Sequence, residues 1–370
     1  MRLGELVGQS KAIAGLQSAI RRDRVAHAYL FFGPDGVGKS TAARWFAQAL
    51  NCEAENAREA GTACGECHSC RLAAKGSHPD IRLITPEGRD ESSVIPIEDI
   101  REDLVYDVHL RPVLGRYKIY LLDPADRTAP LATHTLLKAL EEPPPYVVTI
   151  LVTSLPATLP STIPSRCQHV AFRLARTEAV EEHLVRLGIE PATAASLARL
   201  SGGRTGWAVR FAQRADVPAV RKELLEICSA LPTERAGKCL RIAEDVKRLA
   251  AGLAQARPAQ ERERPAGAPA DESAPAKAGT VTDREVREEL PWCLEVMASW
   301  YRDQVAFAEG TPLLNPDYQE VLSRVAEQGV TCEPAAAIEA ILAARQQIQR
   351  NANIDLALED MIIRLLDGSR

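Results

Sequence analysis

Along the first half of the chain, short apolar runs alternate with longer amphipathic stretches. The runs are Ala28–Phe32, Ile81–Ile84, Lys118–Leu122, Val147–Thr153 and His169–Phe172, separated by helix-like segments such as Lys39–Leu50, Ile97–Val105 and Ala132–Leu140. Strands covered on both faces read as continuous apolar runs, so the pattern predicts an α/β domain over residues 1–173 with a five-stranded parallel sheet and crossover helices. From Thr177 the strand signal stops. Val180, Leu184 and Leu187 share one helical face, with Thr177 as the expected N-cap and Gly188 just past the end. A second short helix follows Pro191, and Ser201-Gly202-Gly203 precedes a third, so residues 174–214 read as a three-helix lid.

Residues 215–370 carry helical periodicity and read as an all-α collar suited to oligomerisation, with one interruption. From Arg257 to Arg284 there are four prolines, no aromatic residue and a single branched aliphatic, Val281. Such a stretch buries too little to offset its ordering entropy and reads as a flexible excursion over 257–284. Periodicity resumes over Leu290–Phe307 and ends with Ile354, Leu358, Met361, Ile362 and Leu365 on one face, Gly368 lying beyond.

Composition narrows the class. The chain has 370 residues, 46% of them hydrophobic and 26% charged, which suits a multidomain globular protein. Lys and Arg number 45 against 50 Asp and Glu, so any contact with DNA must be local rather than driven by a basic field. The opening MRLGELVGQS lacks a basic-then-apolar signal region, and the most apolar stretch, Tyr146–Leu155, is about half a membrane span. A cytoplasmic location without membrane contact is expected. Thiols stay reduced there, so nine cysteines are not a disulfide framework.

The sharpest motif is Gly33-Pro34-Asp35-Gly36-Val37-Gly38-Lys39-Ser40, which fits GxxxxGK[ST] between an expected strand and an expected helix. There the backbone N–H groups curl around a phosphate, the helix N-terminus adds positive potential, Lys39 reaches the outer phosphates and Ser40 ligates Mg²⁺; Thr41 follows directly. ATP or ADP with Mg²⁺ is the expected ligand. Asp123, ending the run Lys118–Leu122, is the metal-side carboxylate such a loop needs. In a hydrolytic site the next residue is a Glu that orients water; here it is Pro124, which has no such group.

Cys64, Cys67 and Cys70, with Cys52 upstream, form an insertion over about 52–70. Four thiolates at these spacings suit a closed tetrahedral Zn²⁺, a structural staple with no open position for a substrate. An iron–sulfur cluster and reduced free thiols are the alternatives, and His68 and His78 are lesser ligand candidates. Cys167, Cys228, Cys239, Cys293 and Cys332 read as packing residues.

Further short runs accompany these motifs: Leu6-Val7-Gly8-Gln9, Ala26-His27-Ala28-Tyr29-Leu30, His78-Pro79-Asp80, Leu136–Pro144, Ser165-Arg166-Cys167 and Gln349-Arg350-Asn351. Together they resemble bacterial DNA polymerase III clamp-loader subunits of the AAA+ class, over the whole chain except 257–284, and the delta prime branch more than the gamma/tau motor branch. Pro124 is one departure from the motor pattern. The other is Gly206, which falls where the Gly-x-x-Arg spacing from Gly203 would put a phosphate-sensing arginine; Arg204 is off register. The resemblance implies a stator with little or no ATPase activity, part of a holoenzyme that is a DNA-directed DNA polymerase and so a nucleotidyltransferase. It implies gamma/tau and delta subunits as ring partners, with the sliding clamp and primer-template DNA met through the assembly. It also implies that Arg166 is an arginine finger for a neighbour's ATP. Glu141 and Glu142 crowd a helix C-terminus, where a neighbouring subunit or solvent would offset their charge. The runner-up is a gamma/tau-type ATPase motor; a free-standing zinc-dependent nucleic-acid binder fits the acidic balance poorly.

Overall fold

The computed structural model describes residues 6–86, 94–141, 143–231, 236–256, 281–327 and 333–367. The described residues divide into two compact units, one holding those up to Gly188 together with Ser201–Val209, the other holding Ile189–Leu200 and those from Arg210 on.

The first unit contains α1 (Ser10–Arg21), β1 (Ala28–Phe32), α2 (Lys39–Leu50), α3 (Ala57–Ala60), α4 (His68–Lys75), β2 (Ile81–Ile84), α5 (Ile97–Arg101), β3 (Lys118–Leu122), α6 (Pro130–Glu141), β4 (Val147–Thr153), β5 (Gln168–Ala171) and α7 (Thr177–Arg186). All five strands pair in parallel, in the order β2-β3-β4-β1-β5. Every residue of β3 and β4 is buried, which is why both appear in the sequence as mainly apolar runs. Alternate residues feed two cores: Phe31, Ile119, Leu121 and Ile150 pack with Leu16 of α1 and Trp45 and Phe46 of α2, while Leu30, Tyr120, Leu122 and Leu151 pack with Leu104, Leu136 and Leu140. Each such side chain contributes about 1.5–3 kcal/mol on burial.

Three expected boundaries shift. The last strand starts at Gln168 rather than His169. The helix expected over Ile97–Val105 is α only to Arg101, then passes through a π turn, Glu102–Tyr106, and a 3₁₀ turn, Asp107–His109. The extra winding brings Asp107 over the buried Lys118, whose Nζ donates to its Oδ1 at 2.7 Å, and Tyr120 Oη donates to its Oδ2 at 3.0 Å. Thr177 is the first helical residue rather than the N-cap, because the extended residue at the entry is Arg176, with ψ 144°.

The remaining helices are α8 (Pro191–Leu200), α9 (Thr205–Ala212), α10 (Val217–Ala230), α11 (Cys239–Gln255), α12 (Asp283–Ala308), α13 (Gln319–Glu327), α14 (Pro334–Gln349) and α15 (Ile354–Asp367). The expected lid helices α7, α8 and α9 are all present; α7 falls in the first unit, α8 in the second, and α9 is divided at Val209. In the second unit α12 is central, burying Leu290, Trp292, Leu294, Met297 and Trp300. Its Glu289, fully buried, is neutralised by Arg210 at 3.1 Å and Arg214 at 3.0 Å, and its Asp303 accepts from the backbone N–H groups of Leu314 and Asn315 at 2.7 Å. A capping box between Thr282 and Glu285 starts α12, so the tail of the expected excursion, Asp283 and Arg284, is helical; residues 257–280 lie outside the described residues. Ile354, Leu358, Met361, Ile362 and Leu365 are all buried in α15, whereas Gly368 lies outside the described residues. Among the described residues, no helix is long and apolar enough to cross a membrane.

Candidate nucleotide cleft and cysteine cluster

Gly33 through Thr41 form one turn from the end of β1 into α2. Gly33 has φ +145°, and a Cβ there would lie 2.2 Å from the Phe172 carbonyl, so only glycine lets the loop leave the sheet beside β5. Gln9 braces the loop from outside: its Nε2 donates to the carbonyls of Arg173 at 2.6 Å and Val37 at 3.4 Å. Lys39 is buried, and its Nζ donates to the carbonyls of Gly33 at 2.7 Å and Pro34 at 2.8 Å and meets Asp35 Oδ1 at 3.4 Å. Burial pushes its pKa below the usual lysine value, against the pull of Asp35, Asp123 and Asp126.

Asp123 follows β3, two strands from β1, and Ser40 hydrogen-bonds to its carboxylate. Burial pushes the Asp123 carboxyl above its usual value, against that bond and the charges of Arg44 and Lys39. The two expected Mg²⁺ ligands are thus already together. The cleft is lined by Asp35, Gly36, Gly38, Lys39, Ser40, Thr41, Asp123, Pro124, Thr153 and Ser154. No carboxylate follows Asp123: Pro124 occupies that wall.

Gly206 closes the cleft at the start of α9. Its N–H donates to the Gly36 carbonyl at 2.7 Å, and a Cβ at 206 would sit 3.1 Å from that oxygen. The close backbone approach favours glycine at the position where the Gly-x-x-Arg spacing expects a phosphate-sensing arginine. Arg204 lies over the Trp207 ring and donates from Nε to the Ser201 carbonyl at 2.8 Å.

Arg166 is not at the start of β5 but ends a 3₁₀ turn, Pro164–Arg166, because Pro164 fixes a helical φ two residues earlier. It is 36% exposed and donates to Glu141 Oε1 at 2.9 Å and to the Thr162 carbonyl at 3.0 Å. Glu141 is therefore offset within the chain; Glu142 lies outside the described residues.

Cys52, Cys64, Cys67 and Cys70 place their four Sγ atoms within 4.8 Å of one another, at the end of α2 and around α4. Cys52 and Cys67 are 4.0 Å apart and Cys64 and Cys70 3.9 Å. A tetrahedral zinc with Zn–S of about 2.3 Å needs edges of about 3.8 Å, so the donor set fits. Backbone N–H groups already point at the sulfurs: Cys64 to Cys52 and Cys70 to Cys67 at 3.3 Å, Glu66 and Cys67 to Cys64 at 3.4 and 3.3 Å. Burial raises the Cys64 pKa, but those donors outweigh it and bring the thiol down to about 7. Neither histidine joins. His78 is buried with Nε2 3.0 Å from Ser69 Oγ and Nδ1 accepting from the Asp80 N–H, and Asp80 in turn takes the N–H groups of Val113, Leu114 and Gly115 at 2.6–2.7 Å. His68 is the first residue of α4. Of the scattered cysteines, Cys228 and Cys293 are fully buried, Cys167 and Cys239 half-buried, and Cys332 lies outside the described residues.

The cleft residue Thr153 and its partner Asp126 carry no motif signal. Thr153 Oγ1 donates to Asp126, three residues beyond Asp123, and accepts from the Leu155 N–H at 2.9 Å. A hydroxyl ending the aliphatic run of β4 was the available hint for Thr153.

With the phosphate-cradle motif after β1 and its carboxylate partner beyond β3, the first unit has the P-loop α/β fold of the AAA+ class. The family described as DNA polymerase III, delta subunit, matches residues 8–176. DNA polymerase III subunit delta' of Pseudomonas aeruginosa is 40% identical over 220 residues, 57% of this chain and 65% of that protein. Subunit tau/gamma of Haemophilus influenzae is 38% identical over 183 residues, 50% of this chain and 25% of that protein. A solved gamma subunit-related protein of DNA polymerase III from Thermotoga maritima superposes with a TM-score of 0.41 at 17% identity, over 97% of this chain and 100% of that one. Over its first half the chain is thus similar to bacterial clamp-loader subunits of DNA polymerase III. The match spans about a quarter of the tau/gamma relative and less than two thirds of the delta' relative.

Proposed function

We propose that this chain is a delta prime-type stator of the clamp loader, binding nucleotide at its P-loop without turning it over and lending Arg166 to a neighbouring motor subunit's ATP. The observation that carries the reading is Pro124: Lys39, Ser40 and Asp123 line one cleft, but the residue after Asp123 has no group to orient water. Gly206, pressed on the Gly36 carbonyl, supports it, since no arginine reaches the phosphates from that position. Zn²⁺ held by Cys52, Cys64, Cys67 and Cys70 is the structural staple of the same domain, and Mg²⁺ with ATP or ADP is the cleft's ligand. Its partners are gamma/tau and delta subunits, with the clamp and primed DNA engaged by the assembly in the cytoplasm. The 38% identity to a tau/gamma subunit favours a second reading, a motor that hydrolyses ATP itself.

Reconstituting the loader with variants of this chain separates the two. For the stator, Arg166→Ala slows DNA-stimulated ATP hydrolysis in part, because one motor site loses its finger, while Lys39→Ala leaves the rate unchanged. A rate that falls with Lys39→Ala and not with Arg166→Ala belongs to the motor.

A further inference from the structure

Strand register fixes the place of Thr153. It lies opposite Phe32, the residue before the P-loop, and two residues past Leu151, which pairs with Leu122 beside Asp123. It therefore stands between the phosphate cradle and the metal-side carboxylate, lining the cleft that holds Lys39 and Ser40. A hydroxyl has one proton to donate. Thr153 gives its proton to the Asp126 carboxylate and accepts from the Leu155 N–H, so no donor remains for a phosphate oxygen. Asp126 also adds charge: it joins Asp35 and Asp123 as three carboxylates bearing on one buried lysine. Mg²⁺ at Ser40 and Asp123 offsets part of that charge. A third phosphate would bring a further negative charge toward the Thr153 hydroxyl, whose proton is held by a carboxylate, whereas a diphosphate needs only the loop, Lys39 and the metal.

Resting on the reading that the P-loop binds nucleotide, we propose that Asp126 is a specificity-determining residue: by occupying the hydroxyl of the cleft-lining Thr153 and setting a carboxylate directly behind it, it makes the site prefer a nucleoside diphosphate to a triphosphate. The subunit then stays in one nucleotide state while its neighbours cycle.

The test is calorimetric binding of Mg·ADP and a non-hydrolysable Mg·ATP analogue to the full chain, with melting temperature as the folding control. The parent binds ADP about tenfold more tightly, the scale of one charge-assisted hydrogen bond. Asp126→Ala frees the hydroxyl and removes the charge, and brings the two affinities within about threefold of each other, mainly by tightening the analogue. Asp126→Asn keeps the acceptor and removes only charge, giving a smaller gain. Adding Thr153→Val to Asp126→Ala removes part of that gain, because the released donor is gone. An unchanged preference in a normally melting Asp126→Ala variant overturns the proposal while leaving nucleotide binding intact, as does a parent that binds the analogue as tightly as ADP. A parent that binds neither nucleotide overturns the nucleotide-binding reading and this inference together.

Discussion

The cysteine cluster and the nucleotide cleft belong to the same α/β unit, and each is announced by a motif, yet they differ in completeness. Around the cysteines every part is present: four sulfurs at tetrahedral spacing, N–H donors on three of them, and a buried Asn51–Ser69–His78–Asp80 network behind. In the cleft the proposed stator has the holding parts without the reacting ones: Pro124 lies where the motor pattern expects a carboxylate, Gly206 where it expects an arginine, and the Thr153 proton goes to Asp126. Binding a ligand needs only the loop and its partner carboxylate, while turnover needs each further group, so a motif can stay intact where the groups around it do not complete a catalyst.

The largest expected effect falls on the complete site. Cys67→Ser removes the metal, lowering zinc from about one per chain to none by metal analysis, and lowers the melting temperature by roughly 5–10 °C. Full metal content with unchanged melting would reduce the cluster to ordinary thiols. In the incomplete site, Lys39→Ala weakens nucleotide binding by about 100-fold in calorimetry while the chain stays folded with a cooperative melt, because it removes a phosphate contact and, within the chain, only bonds to two loop carbonyls and Asp35. Pro124→Glu sharpens the contrast from the other side: if the missing carboxylate is what separates cradle from catalyst, turnover rises at least about tenfold from background in a phosphate-release assay. No rise would move the weight to Gly206 and Thr153.

What the sequence made legible follows from physics acting at short range. Four of the five strands match residue for residue because β1, β3 and β4 are buried through the sheet and Ile81–Ile84 is bounded by polar and turn residues. The cysteines lie within one short insertion, and the P-loop is a single turn. The pairings that were not legible are made by topology: Thr153 meets Asp126 from 27 residues away and Arg166 meets Glu141 from 25, each across the ends of neighbouring elements that only the strand order brings together. The π turn after Arg101 was hidden for the same reason, since it serves Lys118 on a distant strand.

The smallest expected effect is one of pH. Burial raises the Asp80 carboxyl pKa, but the N–H donors of Gly115, Val113 and Leu114 outweigh it and hold the group below its ordinary value. The folded state therefore binds this proton less readily than the unfolded state, whose value is about 3.9. Its contribution is full above that pH and is lost as pH falls through the lower folded value. Asp80→Asn should destabilise the protein at neutral pH and flatten the acid limb of a melting-temperature profile. A parallel, unflattened limb would place the acid sensitivity elsewhere.

The central claim, a cleft that holds nucleotide and does not turn it over, is tested most directly by measuring nucleotide binding and steady-state phosphate release on the same purified chain, with Lys39→Ala as the background. The account predicts saturable Mg-dependent binding lost in Lys39→Ala, and phosphate release indistinguishable between the two chains. Release that is sustained in the parent and abolished by Lys39→Ala would contradict it and make this chain a motor.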